Sequence, residues 1–186
     1  MALDCTALDQ IVADCENSFG GLDIIGLTDR ERIDEVTLDP VTEEVTAVTF
    51  VDPLVDYFKK MVNTRDVATF SDNGTADITV GSTMWEHELV MQFKRRDIAK
   101  RNAIKLMAAG QRDLVALFRD GNGQWFLAGF HPEQDRGLQL ASTEQGTGAA
   151  PADKNGYTVT LTQQMREQAY AVDSSIAMAL LVDPAA

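Results

Sequence analysis

Apolar and polar positions alternate almost strictly over residues 84–93. Trp85, His87, Leu89, Met91 and Phe93 fall on one face, and Glu86, Glu88 and Gln92 on the other. That is the period of a strand packed on one side and wet on the other. Residues 157–162 repeat it, with Tyr157, Val159 and Leu161 against Thr158, Thr160 and Thr162, launched by a turn at Asn155-Gly156. Residues 22–27, 45–51 and 55–62 are rich in β-branched, aromatic or aliphatic side chains and predict three more strands. A further short strand is expected over 77–81, after a turn at Asp72-Asn73-Gly74. Residues 113–119 and 124–130 predict a hairpin about Asp120-Gly121-Asn122-Gly123, whose return strand sets Trp125 and Leu127 against Gln124 and Phe126.

One segment has a helical period. Asp97 is placed to cap it, residues 98–109 form its body, and Gly110 stands where a left-handed residue commonly ends a helix. At about 100° per residue, Ala99, Ala103, Ile104, Leu106 and Met107 share one broad stripe, while Arg101 and Lys105 lie opposite and are expected to face outward. Residues 132–155, rich in Gly, Gln, Ser, Thr and Ala, read as an irregular loop with at most a short strand near 138–141. The apolar tail 174–182 fits helix and strand equally. The pattern predicts a mainly β fold: a sandwich or small barrel of about eight or more strands, with one packed helix near residues 97–109 and long loops and arms. It reads as a single domain over 1–186 with N-terminal and C-terminal extensions.

Charge adds a second kind of information. The chain has 186 residues, 16 Lys+Arg and 29 Asp+Glu, a formal net charge of −13. This balance argues against a nucleic-acid binder, because affinity for phosphate needs a dominant basic footprint. The excess is one-sided. Residues 1–93 hold 5 basic and 19 acidic side chains, residues 94–186 hold 11 and 10, and residues 94–112 alone hold seven cations against Asp97. Such a stretch is either a solvated helix face or a surface that meets an acidic one on another copy. The second reading makes Lys94, Arg95, Arg101 and Lys105 candidate inter-subunit contacts. Cys5 and Cys15 are too few for a disulfide framework, and their acidic surroundings raise a thiol pKa, so they read as reduced small hydrophobes. No run of ~18 apolar residues suits a membrane span, and the first five residues have neither the basic nor the apolar region of a secretory signal.

No arrangement in the sequence converges on a catalytic, cofactor-binding or metal site. His87 and His131 fall on separate elements, without HExxH or CxxC spacing. His131, before Pro132, reads as a surface turn residue and His87 as a satisfied, partly buried strand residue. There is no GxSxG elbow. Gly146-Thr147-Gly148 lacks the Lys and the helix of a phosphate loop, and Asp120-Gly121-Asn122-Gly123 lacks the distal Glu of a calcium loop. Glu86 and Glu88, beside His87, are carboxylates that could in principle do acid–base work. With 29 carboxylates in the chain, such spacing is expected by chance. No cofactor is expected, and a structural role is favoured over an enzyme.

Several of these signals stand in a recognisable order. Gly20-Gly21-Leu22 precedes the first strand, and Trp85-Glu86-His87-Glu88-Leu89 leads into Arg96-Asp97 and Lys100-Arg101-Asn102. Asp113-Leu114-Val115, the hairpin from Asp120 through Trp125-Phe126-Leu127 to Gly129, Gly146-Thr147-Gly148 and Asp153-Lys154-Asn155-Gly156-Tyr157 complete it. The order, spanning roughly Cys15 to Val172, resembles the tail tube (major tail) proteins of tailed phages and prophages, chiefly of Bacteroidetes hosts. Residues 28–70 are unusually acidic for that family, and the tail after Asp173 has no counterpart in it.

The resemblance implies a β-sandwich or barrel with a flanking helix, whose copies form stacked rings, usually hexameric, around a β-lined channel. It implies a place in the virion tail after assembly in the host cytoplasm. The partners would be further copies and other tail or neck proteins, with no membrane, and DNA would pass without specific binding. An acidic channel suits that passage, because fixed carboxylates repel phosphates. Alternatives are a neck, tail-terminator or capsid-decorating protein. Further from these lie a carbohydrate- or protein-binding β-module presenting Trp85 or Trp125, and a soluble enzyme using Glu86, His87 and Glu88.

Overall fold

The computed structural model describes residues 18–64, 67–77, 79, 81–109, 112–150 and 153–182; Cys5, Cys15 and Gly110 lie outside them. The described residues form strands β1 Leu22–Asp29, β2 Ile33–Leu38, β3 Val45–Phe50, β4 Lys59–Lys60, β5 Thr69–Asp77 and β6 Ser82–Lys94, then helix α1 Ile98–Ala108. Strands β7 Leu114–Asp120, β8 Trp125–Ala128, β9 Gln139–Gly146, β10 Gly156–Met165 and β11 Tyr170–Val172 follow, and helix α2 Ser174–Leu180 closes the series. The fold is mainly β. A larger sheet has the order β2-β3-β11-β8-β7-β1-β4 and a smaller one β5-β6-β10-β9.

The larger sheet has to roll up. Between β2 and β1 lie four strands, a flat separation of roughly 24 Å at ~4.8 Å per strand. Yet only Arg30–Arg32 join β1 to β2, and a link of that length reaches roughly 14 Å at most. The two strands therefore approach each other at the open side of a partial barrel. That side is closed by the segment after β3 and by α2: Phe58 donates its N–H to the Leu180 carbonyl at 3.0 Å, and the Phe50 and Phe58 rings meet edge-on at 5.8 Å. Gly26 makes room for this closure, since a Cβ there would lie 2.6 Å from Leu181 Cδ2 and 2.9 Å from Phe58 Cβ.

Strand β7 divides two cores. Leu114, Ala116 and Phe118 face Leu89, Met91, Val159 and Leu161 of the smaller sheet. Val115 and Leu117 face into the rolled sheet with Trp125, Leu127, Phe58 and Leu180. With both faces covered, β7 reads as a continuous apolar run instead of an alternation. Helix α1 is a lighter attachment. Asp97 caps it by accepting the Lys100 N–H at 2.8 Å, but only Ile104 is buried on it and Ile98 and Leu106 are exposed. One such side chain contributes ~1.5–3 kcal/mol.

The alternating strands and the hairpin stand where the pattern put them, with β10 running three residues further. Several expectations need correction. The strand expected over 77–81 does not follow a turn at 72–74, and Ile78 and Val80 lie outside the described residues. β5 runs through Asp72-Asn73-Gly74, and the reversal comes at Gly81, whose φ is +69° and whose N–H bonds to the Asp77 carbonyl. Gly74 serves packing there, for a Cβ would sit 2.6 Å from the Trp85 ring. Residues 55–62 contribute only the two residues of β4, because Asp52 turns the chain by accepting the N–H groups of Val55 and Asp56. The 132–155 loop contains the eight-residue β9. Residues Ser174–Leu180 of the tail are a helix, with Asp173 as cap accepting the Ser175 N–H at 2.8 Å, so the described residues hold two α-helices instead of one. Helix α1 ends at Ala108, and most of its predicted stripe, Ala99, Ala103 and Leu106, is exposed.

Candidate functional site

The smaller sheet has one dry face and one open face. Its ladders pair Glu88 with Thr162 and Ser71, Glu86 with Gln164 and Asn73, and Thr158 with Gln92 and Glu144. Directly opposed residues share a face, so these side chains form one polar surface. It carries the carboxylates of Glu86, Glu88 and Glu144, with Lys94 as a strand cation at one end. The opposite face presents Leu89, Met91, Val159 and Leu161 to the core.

The two borders of this sheet differ from those of the larger one. β5 and β9 each pair on one side only. They are nine and eight residues long, and Thr69–Asp77 and Gln139–Gly146 contain neither Lys nor Pro. In the larger sheet, β4 consists of two lysines and β2 carries Asp34 and Glu35. Short or charged borders are how monomers block pairing with other chains. β4 is both short and basic and β2 is six residues long; β5 and β9 are the longer borders, and the charges they carry are Asp72, Asp77 and Glu144. Sequence reading missed β5 and found only the start of β9, near 138–141, since their polar side chains gave little apolar signal.

Arg101 and Lys105 are exposed on α1, as the periodicity predicts, and Lys94 and Arg95 are exposed at the end of β6. The four are brought to one region. Lys100 Nζ bonds to the carbonyls of Lys94 (2.8 Å) and Arg95 (3.2 Å), tying the start of the helix to the strand end. Arg95 adopts φ +62° to make this corner. None of Lys94, Arg95, Arg101 and Lys105 has an ion-pair partner among the described residues, whereas Lys100 pairs with Asp97 at 2.8 Å.

His87 is fully buried, more than the sequence suggested. Its Nε2 bonds to the Glu167 carbonyl at 3.0 Å, and its Nδ1 accepts the Gly129 N–H at 3.2 Å. That pattern requires a neutral ring protonated on Nε2. Burial depresses its pKa, against the opposing pull of Asp72, directly across the ladder, and of the Glu167 bond. Glu86 and Glu88 point to the other face, so the three residues do not converge. His131 is half-buried, its Nδ1 accepting the Glu133 N–H. Trp125 is buried and Trp85 half-buried over Gly74, which leaves no platform at Trp125.

An apolar cleft of about 500 Å³ opens between the sheets beside Phe19, Leu22, Phe70, Phe118 and Phe126, with Asp72 in its wall. Among the described residues, no group of three or more His, Cys, Asp or Glu side chains could hold a metal ion. No helix among them is long and apolar enough to cross a membrane. Comparison with known families, curated proteins and solved structures returned no match.

Proposed function

We propose that the chain is a structural subunit that assembles with copies of itself, joining the β5 border of one copy to the β9 border of the next. The observation that carries this reading is the length of the smaller sheet's two borders, nine and eight residues without Lys or Pro, against two and six residues on the larger. Successive strands in the order β5-β6-β10-β9 are antiparallel, so with an even number of strands β9 of one copy meets β5 of the next in antiparallel sense. The two borders are unlike, which makes the contact heterologous and able to close a ring.

Such a ring is lined by the polar face of the smaller sheet and backed by the rolled larger sheet. Six copies, the usual number in the family the sequence resembles, would supply ~24 strands. At ~4.8 Å spacing and ~40° tilt the backbone diameter is roughly 45–50 Å. Glu86, Glu88 and Glu144 would face the channel and repel phosphate. This is the subunit of a phage-type tail tube, placed in the virion tail and assembled without a cofactor, with other tail or neck proteins at the ends of the tube. Negative-stain microscopy of the concentrated full chain tests it. Rings with a central channel, stacked into tubes, are expected. Rings that never stack would point to a neck, terminator or decorating role, and monodisperse monomers would end the assembly reading.

A further inference from the structure

We infer that the subunit is electrostatically polar along the strands of its smaller sheet, so that rings stack head to tail, the basic end of one on the acidic end of the next. This inference rests on the ring reading above and names its stacking contact.

The basic end is set by where β6 stops. Lys94 ends the strand, Arg95 turns the corner, and α1 starts there with Lys100, Arg101 and, one turn on, Lys105. The first turn of α1 contains no acidic residue. Cations beside the positive end of a helix dipole are unfavourable within one chain, and the Asp97 cap is already paired with Lys100. Lys94, Arg95, Arg101 and Lys105 are left facing solvent, beside the exposed Ile98. Arg95 helps Lys100 to lower the Asp97 pKa, while Lys94, Arg101 and Lys105 have no ion-pair partner among the described residues.

The opposite end lies past Met165, the last residue of β10. Gly156 pairs with Lys94 at the start of that strand, so the far end is ten residues away, roughly 30 Å. Glu167 follows directly. Glu133 and Asp135 are held nearby, because Gln134 Nε2 donates to the Gln164 carbonyl at 2.9 Å. The tip of the β2–β3 hairpin joins them: Val45 pairs in parallel with Val172, which brings Glu43, two residues earlier, level with Tyr170, and burial, with Glu167 and Glu43 adding to it, raises the Tyr170 hydroxyl to about 12. Of the local cations, Arg166 pairs with Glu133 at 3.0 Å and Arg30 with Asp135 at 3.8 Å, while Arg136, beside Arg166, has no ion-pair partner among the described residues. Glu43, Glu44 and Glu167 have no ion-pair partner among the described residues. Opposite charges at opposite ends suit an identical neighbour and oppose two like ends meeting.

The test uses the full chain and two charge-reversal variants, Lys94→Glu with Arg101→Glu and Glu43→Lys with Glu167→Lys. Wild type is expected to form tubes. Each variant alone is expected to retain the wild-type far-UV circular dichroism and its rings, but to give tubes shorter by on the order of tenfold, since several surface charges of ~0.2–1 kcal/mol each are reversed. An equimolar mixture, with acidic ends facing basic ends again, is expected to recover length. Wild-type tubes should also shorten as salt rises from low to ~1 M. Tubes of wild-type length from both variants, a mixture no longer than its components, or length indifferent to salt would each overturn the inference and leave the ring reading standing. A wild type that forms no rings would overturn both.

Discussion

Gly129 donates its backbone N–H to Nδ1 of His87 at 3.2 Å, and this bond joins the end of β8 in the larger sheet to β6 in the smaller. The other ring nitrogen holds the Glu167 carbonyl beyond β10. One neutral imidazole thus ties three segments, with Asp72 of β5 and the Phe70 ring packed against it. Replacement by alanine leaves a buried N–H and carbonyl unpaired. His87→Ala is expected to lose roughly 2–5 kcal/mol in urea unfolding.

The same residue sets a pH dependence. The folded chain holds His87 neutral with a pKa below the ordinary value of about 6.5, so below that value the unfolded chain binds the extra proton. Its contribution is complete above ~6.5 and declines as the pH falls through it. Melting temperature should therefore fall on acidification more steeply in wild type than in His87→Gln, measured between about pH 7.5 and 5. Parallel curves would remove His87 as the cause.

Two paired glycines separate packing from propensity. Gly156 and Gly146 stand opposite each other in the β10–β9 ladder. A Cβ at Gly156 would lie 2.0 Å from the Phe93 carbonyl oxygen, while one at Gly146 meets nothing within 4 Å. Gly156→Ala should destabilise by roughly 1–3 kcal/mol or more, and Gly146→Ala should be neutral within ~0.5 kcal/mol. Thermal unfolding of the pair checks this. Equal losses would mean that the β6–β10 approach is looser than described.

The closure of the rolled sheet depends on charge as well as apolar contact. Asp56 is buried and pairs with Arg32, which also bonds to Asp29 at 3.1 Å. Those carboxylates raise the Arg32 pKa through hydrogen bonds, Asp56 first. Asp56→Asn keeps the shape and removes the charge. Because Arg32 is partly exposed, the expected loss is only about 1–3 kcal/mol, at the low end for a buried pair.

Sequence reading went furthest where a strand is covered on one side. β6 and β10 announce themselves because Leu89, Met91, Val159 and Leu161 must be dry while Glu86, Glu88 and the intervening threonines stay wet. It failed where tertiary contact overrides local signals. Asp72-Asn73-Gly74 has turn chemistry, yet Gly74 is extended strand making room for Trp85. Leu54, Val55 and Val62 look like strand and are exposed. The outward placement of Arg101 and Lys105 was legible from the helical period. The ladder of β5 was not, and of β9 only its start near 138–141 was, because a polar border carries its information in backbone groups that no side chain reports.

Charge on the polar face of the smaller sheet gives a separate check. Glu86→Lys with Glu88→Lys leaves the core untouched and should preserve folding. If these side chains keep the surface from holding DNA, the double variant should gain duplex binding that weakens steeply with salt, while wild type shows none at the same ionic strength. Equal retention of DNA by both proteins would contradict that role.

The most direct measurement is hydrogen exchange of the full chain, compared between dilute protein and concentrated protein at low salt. Amides in Thr69–Asp77 and Gln139–Gly146 are predicted to exchange quickly when dilute and to become protected on assembly, while β2 and β4 change little. Equal exchange of both borders in the two states would contradict assembly through β5 and β9.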